Sequence, residues 1–203
     1  MQRILEKRER SLGVKLSIKG ERCNSPKCAL IRKPHGPGMH GGKHNKKKEF
    51  GLQMQEKQKI RFTYGLTDKQ LEALIARADK AKEPTPMVVM SILERRLDNI
   101  VYRLGFTPSR SVARKMVSHG HFTVNSRKVT IPSYLVTMGE TIAIREGSKD
   151  IPTLKNLQEK LKNYEVEPWL TLDKAKLEGQ LKSIPKEVET PFDINKVVDY
   201  YSR

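Results

Sequence analysis

Little in this chain points to catalysis, secretion or a membrane. Only Cys23 and Cys28 occur, too few for a disulfide framework and natural to a reducing compartment. No apolar run approaches the roughly 18 residues that a membrane-spanning helix needs. The opening MQRILEKRERSLG lacks an apolar stretch long enough for a secretory signal, and Glu6 and Glu9 argue against an acid-poor transit peptide. A cytosolic location is therefore expected, with no membrane partner. There is no P-loop, no G-x-S-x-G and no H-E-x-x-H. The carboxylates are dispersed among lysines rather than paired in apolar surroundings that would raise a pKa. Neither turnover nor a small-molecule substrate is expected. Aromatic residues make up 6% of the chain, a poor supply of platforms for stacking single-stranded bases.

Positive charge is abundant and unevenly placed. Residues 1–62 hold 17 Lys/Arg against 5 Asp/Glu, and residues 93–147 hold 9 against 4. The intervening 63–92 and the closing 148–203 are each balanced, so these two zones carry the whole net charge of +17. All five histidines, His35, His40, His44, His119 and His121, also lie in the basic zones. Two cationic surfaces separated by neutral segments fit a polyanion, and nucleic acid first of all.

Hydrophobic periodicity gives the organisation. Residues 1–50 read as a basic N-terminal extension, irregular and rich in turn residues (Gly20, Pro26, Pro34, Gly36, Pro37, Gly38, Gly41, Gly42), which orders on a phosphate-rich surface. From Leu52 the pattern turns helical. Thr67 and Gln70 form a capping box, with Leu66 and Leu71 as its staple. After Glu83-Pro84-Thr85-Pro86 one helix is predicted with Val89, Leu93, Leu97, Ile100 and Leu104 as its stripe and Gly105 at its end. Ser109 caps a further helix to about Ser118, with Arg110 and Arg114 on its outer face. Phe122–Val124 and Val129–Ile131 alternate around Asn125-Ser126, a two-residue hairpin turn. Thr141–Ile144 adds a strand, Leu154, Leu157 and Leu161 a helix, Trp169–Leu172 a strand, and Ile194–Tyr201 a closing helix. The expected fold is α+β. Residues 51–92 plus 166–203 would form a helical domain, with 93–165 inserted as an α/β RNA-binding domain on a small, mainly antiparallel sheet.

Binding chemistry concentrates in SRSVARKMVSHGHFTVNSRKVTIPS, residues 109–133. Arg110, Arg114 and Lys115 on the helix, His119 and His121 in the loop, and Asn125, Arg127 and Lys128 at the hairpin supply donors on a rigid frame. Duplex RNA is read mainly through shape, phosphates and 2′-hydroxyls, which such donors suit.

The stretch LERRLDNIVYRLGFTPSRSVARKMVSHGHFTVNSRKVTIPSY (93–134) resembles the S-four RNA-binding fold. ERCNSPKCALIRKPHGPGMHG (21–41), EKQKIRFTYGLT (56–67), PWLTLD (168–173) and the terminal YYSR resemble the bacterial small-subunit ribosomal protein S-four family. The resemblance implies a structural protein that binds 16S rRNA at a multi-helix junction of the 5′ domain and nucleates small-subunit assembly. It also implies neighbours in ribosomal proteins S-five and S-three, a place beside the messenger RNA channel, and an influence on decoding accuracy. Candidate RNA ligands in the first basic zone are Arg22, Lys27, Arg32, Lys33, His35, His40, Lys57 and Arg61. Lys43, Lys46 and Lys47 are implied to lie nearest the mRNA.

Cys23 and Cys28 match the second pair of a four-cysteine zinc site found in some relatives, with Glu6 and Glu9 where the first pair would stand. Two thiolates and two exposed carboxylates make a poor tetrahedral site. His35 and His40 offer a Cys₂His₂ alternative, although the family pattern carries a His at position 40 that is not a ligand. We expect no cofactor, and read the cysteines as a relict pair held by RNA packing. Two rival functions use the same kind of fold. An RNA-modifying enzyme or tRNA synthetase would need a separate catalytic domain, which residues 1–92 and 148–203 do not supply. A free-standing nucleic-acid regulator would work away from ribosomes.

Overall fold

The computed structural model describes residues 6–42, 47–185 and 188–202. The chain divides into two compact units, residues 1–90 with 187–203, and residues 91–186.

In the first unit, residues 6–42 take more structure than their glycines and prolines predict. Helix α1 (Lys7–Leu12) ends at Gly13, whose φ of 68° is left-handed, and is followed by a 3₁₀ turn at Gly20–Asn24 and by α2 (Ala29–Arg32). The organising group is Glu9, fully buried. Its Oε1 accepts from the backbone N–H groups of Leu16 at 2.9 Å and Ile18 at 3.3 Å. A basic leader thus acquires an internal anion that satisfies the turn following α1. Leu12, Leu16, Ile18 and Phe62 close a small core around it. Helix α3 (Glu49–Tyr64) anchors this segment: Gln55 donates to Leu12 O at 3.0 Å, and Arg8 lies over the Phe62 ring at 5.3 Å.

Thr67 and Gln70 form the predicted capping box at the start of α4 (Asp68–Ala78). The closing helix α9 (Ile194–Tyr201), capped by Asp193, lies along α3. The Tyr200 ring sits 5.6 Å from that of Phe50, and Glu56 accepts from the Asp193 N–H at 2.9 Å.

The predicted continuous helix through Leu104 is in fact two. Helix α5 (Thr85–Glu94) stops, Arg96 is extended, and α6 (Leu97–Arg103) begins. The reason lies far away in sequence. The Leu97 and Asp98 N–H groups donate to Tyr134 O and Pro132 O, while the Val136 N–H donates to Arg95 O. These long-range bonds replace the local ones that a continuous helix would have made.

In the second unit, α6 and α7 (Arg110–Ser118) pack together, and Ser109 Oγ caps α7 by accepting from the Val112 N–H. The sheet comprises β1 (Phe122–Val124), β2 (Arg127–Lys128), β3 (Thr141–Ile144), β4 (Leu170–Asp173) and β5 (Glu178–Leu181). Its order is β2-β1-β3-β5-β4 and every pairing is antiparallel. Asn125 and Ser126 have φ of 47° and 65°, which makes the predicted turn type I′. The second hairpin strand is shorter than expected and shifted to Arg127–Lys128, leaving Ile131 outside it and exposed.

The expected boundary at residue 165 moves to 186. Residues 170–181 belong to the sheet rather than to the helical part, because β5 pairs with β3 in the register Ile142 opposite Gly179. Gly179 is required there, since a Cβ would run into the Leu104 side chain. Helix α8 (Leu157–Leu161) adds Leu157 and Leu161 to the core formed by Leu97, Ile100, Leu104, Phe106, Phe122 and Ile142.

Replacing Glu9 with Ala would strand two buried amides, and leaving a buried group without a partner costs about 1–3 kcal/mol. Thermal unfolding of Glu9→Ala should begin several degrees below wild type, with Glu9→Gln in between. Unchanged melting would remove Glu9 from this role.

Candidate nucleic-acid interface

The second unit holds the densest set of predicted ligands, and the structure sorts them into two kinds. Lys115, His119, Arg127 and Lys128 are exposed. Arg110 and Arg114 are not on the outer face; both are half-buried and turned onto α6. Arg110 Nε donates to Asn99 Oδ1 at 2.7 Å, and its guanidinium lies 4.5 Å from the centre of the Tyr102 ring. Asn99 is itself buried, and its Nδ2 donates to Glu94 Oε2 at 2.7 Å and Glu94 O at 2.9 Å. Glu94, fully buried, also accepts from Arg103 Nε and Nη2. Arg114 Nη1 lies 3.5 Å from Asp98 Oδ2, the carboxylate that Arg96 grips with two nitrogens at 3.0 and 2.7 Å. The arginines of α7 are therefore fixed by α6, with stiffness gained and mobility lost.

Asn125 also has a structural duty, since its Oδ1 accepts from the Thr141 N–H at 3.0 Å and pins the hairpin tip to β3. His121 is half-buried, with Nδ1 3.0 Å from Ser148 Oγ. Burial holds its pKa below the usual histidine value, and the nearby charges of His119, Arg145 and Lys128 push the same way. Arg145 escaped the sequence reading. It follows β3 directly, and its backbone N–H donates to His121 O at 2.9 Å. Pairing β1 with β3 from their alternation would have found it.

In the first unit Arg22, Lys27, Arg32, Lys33, His35 and His40 are exposed, Arg22 within 3.4 Å of Glu6. Arg10, also unpredicted, donates to the carbonyls of Lys33, His35 and Gly36 and fixes the loop that presents them. Lys43 and Lys46 lie outside the described residues. Lys47 is exposed and bonds Gln55. Lys57 and Arg61 leave the candidate set. Lys57 is buried, with Nζ 4.4 Å from the centre of the Tyr200 ring and 3.5 Å from Asp68. Arg61 is half-buried and bonds Asp68 at 2.8 Å. Their period along α3 turns them toward α9 and the start of α4, which charge alone does not reveal.

Cys23 and Cys28 are buried and unbridged. Burial pushes the Cys23 thiol up, against the Lys19 N–H that donates to its sulfur. Of the donors that the family resemblance raises for zinc, Cys23 Sγ lies 4.0 and 3.9 Å from the two Glu9 carboxylate oxygens. Glu9 Oε1 is committed to two amides, and no three His, Cys, Asp or Glu side chains gather as metal ligands among the described residues.

Two family models match residues 4–142 of this architecture. The "Ribosomal protein S4/S9 N-terminal domain" matches residues 4–94 and the "S4 domain" matches residues 95–142, meeting where α5 gives way to α6. The chain is 44% identical over 192 residues to the small ribosomal subunit protein uS4 of Syntrophobacter fumaroxidans, covering 94% of this chain and 92% of that one. It is 43% identical over 194 residues to uS4 of Thermus thermophilus, covering 94% and 93%. The chain belongs to the uS4 family. Within a uS4-family chain, the exposed cations at the end of α7 and on the hairpin lie inside the matched S4 domain, and the Asn99 network joins that domain to Glu94, the last residue of the N-terminal match.

Asn99→Ala should lower stability by about 1–3 kcal/mol, the cost of stranding buried polar partners. In a double-mutant cycle with Arg110→Ala the two losses should be non-additive. Additive losses in thermal unfolding would show that Asn99 does not act on Arg110.

Proposed function

We propose that this chain binds 16S rRNA directly at a multi-helix junction of the 5′ domain and nucleates small-subunit assembly. It lies near the mRNA channel, contacts ribosomal proteins S-five and S-three, and contributes to decoding accuracy. The coarser statements stand on family membership. This is a structural ribosomal protein rather than an enzyme, located in the small subunit in the cytoplasm. No helix among the described residues is long and apolar enough to cross a membrane. The carrying observation is the exposed set Lys115, His119, Arg127 and Lys128 on a capped helix and a tight hairpin. Donors held at fixed separations on such a frame suit a phosphate backbone of defined geometry. The first basic zone adds a second surface, from Arg22 to His40, for the same RNA. Cys23 and Cys28 carry no zinc in this reading; they serve as packing side chains of the leader.

Binding of a 5′-domain RNA fragment should weaken in Lys115→Ala/Arg127→Ala/Lys128→Ala. Each lost phosphate contact removes about 0.9 from the log–log salt slope on B-form duplex and less on single strands. The triple variant should therefore lose roughly two to three units of slope at an unchanged melting temperature. A wild-type slope in this variant would remove the helix–hairpin surface from the interface.

A further inference from the structure

Four cationic or titratable groups converge where α7, the hairpin and the end of β3 meet. His119 follows α7, and its ring centre lies 5.9 Å from that of His121 in an edge-on arrangement. His121 leads into β1, and Arg145 is bonded to it through the backbone. Lys128, on β2, reaches the same turn. Gly120, with φ of 75°, lies so close to the Lys128 side chain that a Cβ there would collide with its Cε. This glycine therefore gives the left-handed turn and also the groove in which the lysine stem lies. Ser148, in the 3₁₀ turn Glu146–Ser148, sits 3.0 Å from His121 Nδ1 and holds the ring in place.

From this geometry we infer that His119, His121, Lys128 and Arg145 form one phosphodiester-binding site whose occupation by RNA is coupled to uptake of a proton at His121. The end of α7, β2 and the end of β3 bring positive charge to one imidazole, and an anion relieves that crowding. In the free protein the proton is disfavoured by burial and by the charges of His119, Arg145 and Lys128. Acid therefore costs the free fold: stability is complete above the ordinary histidine pKa and declines as pH falls through it. An RNA phosphate reverses the local balance by supplying negative charge within reach of the ring. His121 then protonates on binding, so affinity rises as pH falls.

This inference rests on the RNA-binding reading above, and the test separates the two. Affinity of the full chain for a 16S 5′-domain fragment is measured at fixed salt from pH 7.5 to pH 5.5, alongside an NMR titration of His121 with and without RNA. We expect affinity to rise about three- to tenfold toward acid, the range for an average uptake of about a quarter to half a proton over these two pH units. His121→Gln should flatten that rise, while His119→Gln should retain most of it. In the free protein, Arg145→Ala should move the His121 titration upward toward its ordinary value. In the complex, the wild-type His121 titration should also move upward. Equal pH profiles for wild type and His121→Gln, or an RNA-insensitive His121 titration, would overturn the site while leaving RNA binding intact. No measurable affinity at any pH would overturn the RNA reading itself, and the site with it.

Discussion

A carboxylate can leave water only where donors replace its hydration, and this strongly cationic chain uses that requirement to define its local geometry. Glu9, Glu94 and Asp98 are all buried, and each stands where the chain changes course. Glu9 gathers the amides of the turn that follows α1. Glu94 closes α5 and accepts from Asn99 and Arg103. Asp98 opens α6, where a negative group also meets the positive end of the helix dipole, and it receives the fork of Arg96. The break between α5 and α6 is thus bracketed by two satisfied carboxylates, and Arg95 and the extended Arg96 pair with residues 132–136.

Those anions also decide which cations face outward. Arg96, Arg103, Arg110 and Arg114 each have an internal oxygen partner, whereas Lys115, Arg127, Lys128 and Arg145 are exposed. The planar guanidinium, with five directed N–H donors, suits shared carboxylates better than an ammonium does. Exposed charge keeps its value for a phosphate because it is not already spent inside. The first unit follows the same rule, with Lys57 and Arg61 committed to Asp68 and the Tyr200 ring while Lys27, Arg32 and Lys33 remain at the surface.

What was legible in the sequence was local. The capping box at Thr67, the Ser109 cap and the Asn125-Ser126 turn are short-range signals, and the structure bears each one out. Long-range pairings left no such mark. Nothing near Leu93–Leu104 announces that residues 132–136 will interrupt the helix, because the apolar stripe continues unbroken through the break. Residues 170–173 and 178–181 alternate like any strands, and their place in the sheet is set by the distant pairing of β5 with β3, where Gly179 also makes room for Leu104. For the candidate site, the sequence located a segment whose cations the structure leaves partly exposed, but not the orientation of individual side chains. Charge counts do not distinguish Lys115, which points out, from Arg110, which is stacked on Tyr102.

The disposition of the rings shows how such a surface can recognise RNA. In the second unit Phe106 and Phe122 are fully buried and stack on one another at 6.1 Å, and Tyr102 is taken up by Arg110. These three rings are committed internally and offer no platform to splayed bases, which leaves the proposed recognition to the spacing of charged and hydroxyl groups. Spacing is informative only if the donors do not move. A hairpin closed by a two-residue type I′ turn and pinned by Asn125, beside a helix held by Asn99 and Asp98, meets that condition. In the proposed RNA-binding role, rigidity supplied by buried polar bonds is what would convert a generic excess of lysine and arginine into a surface able to tell one RNA fold from another.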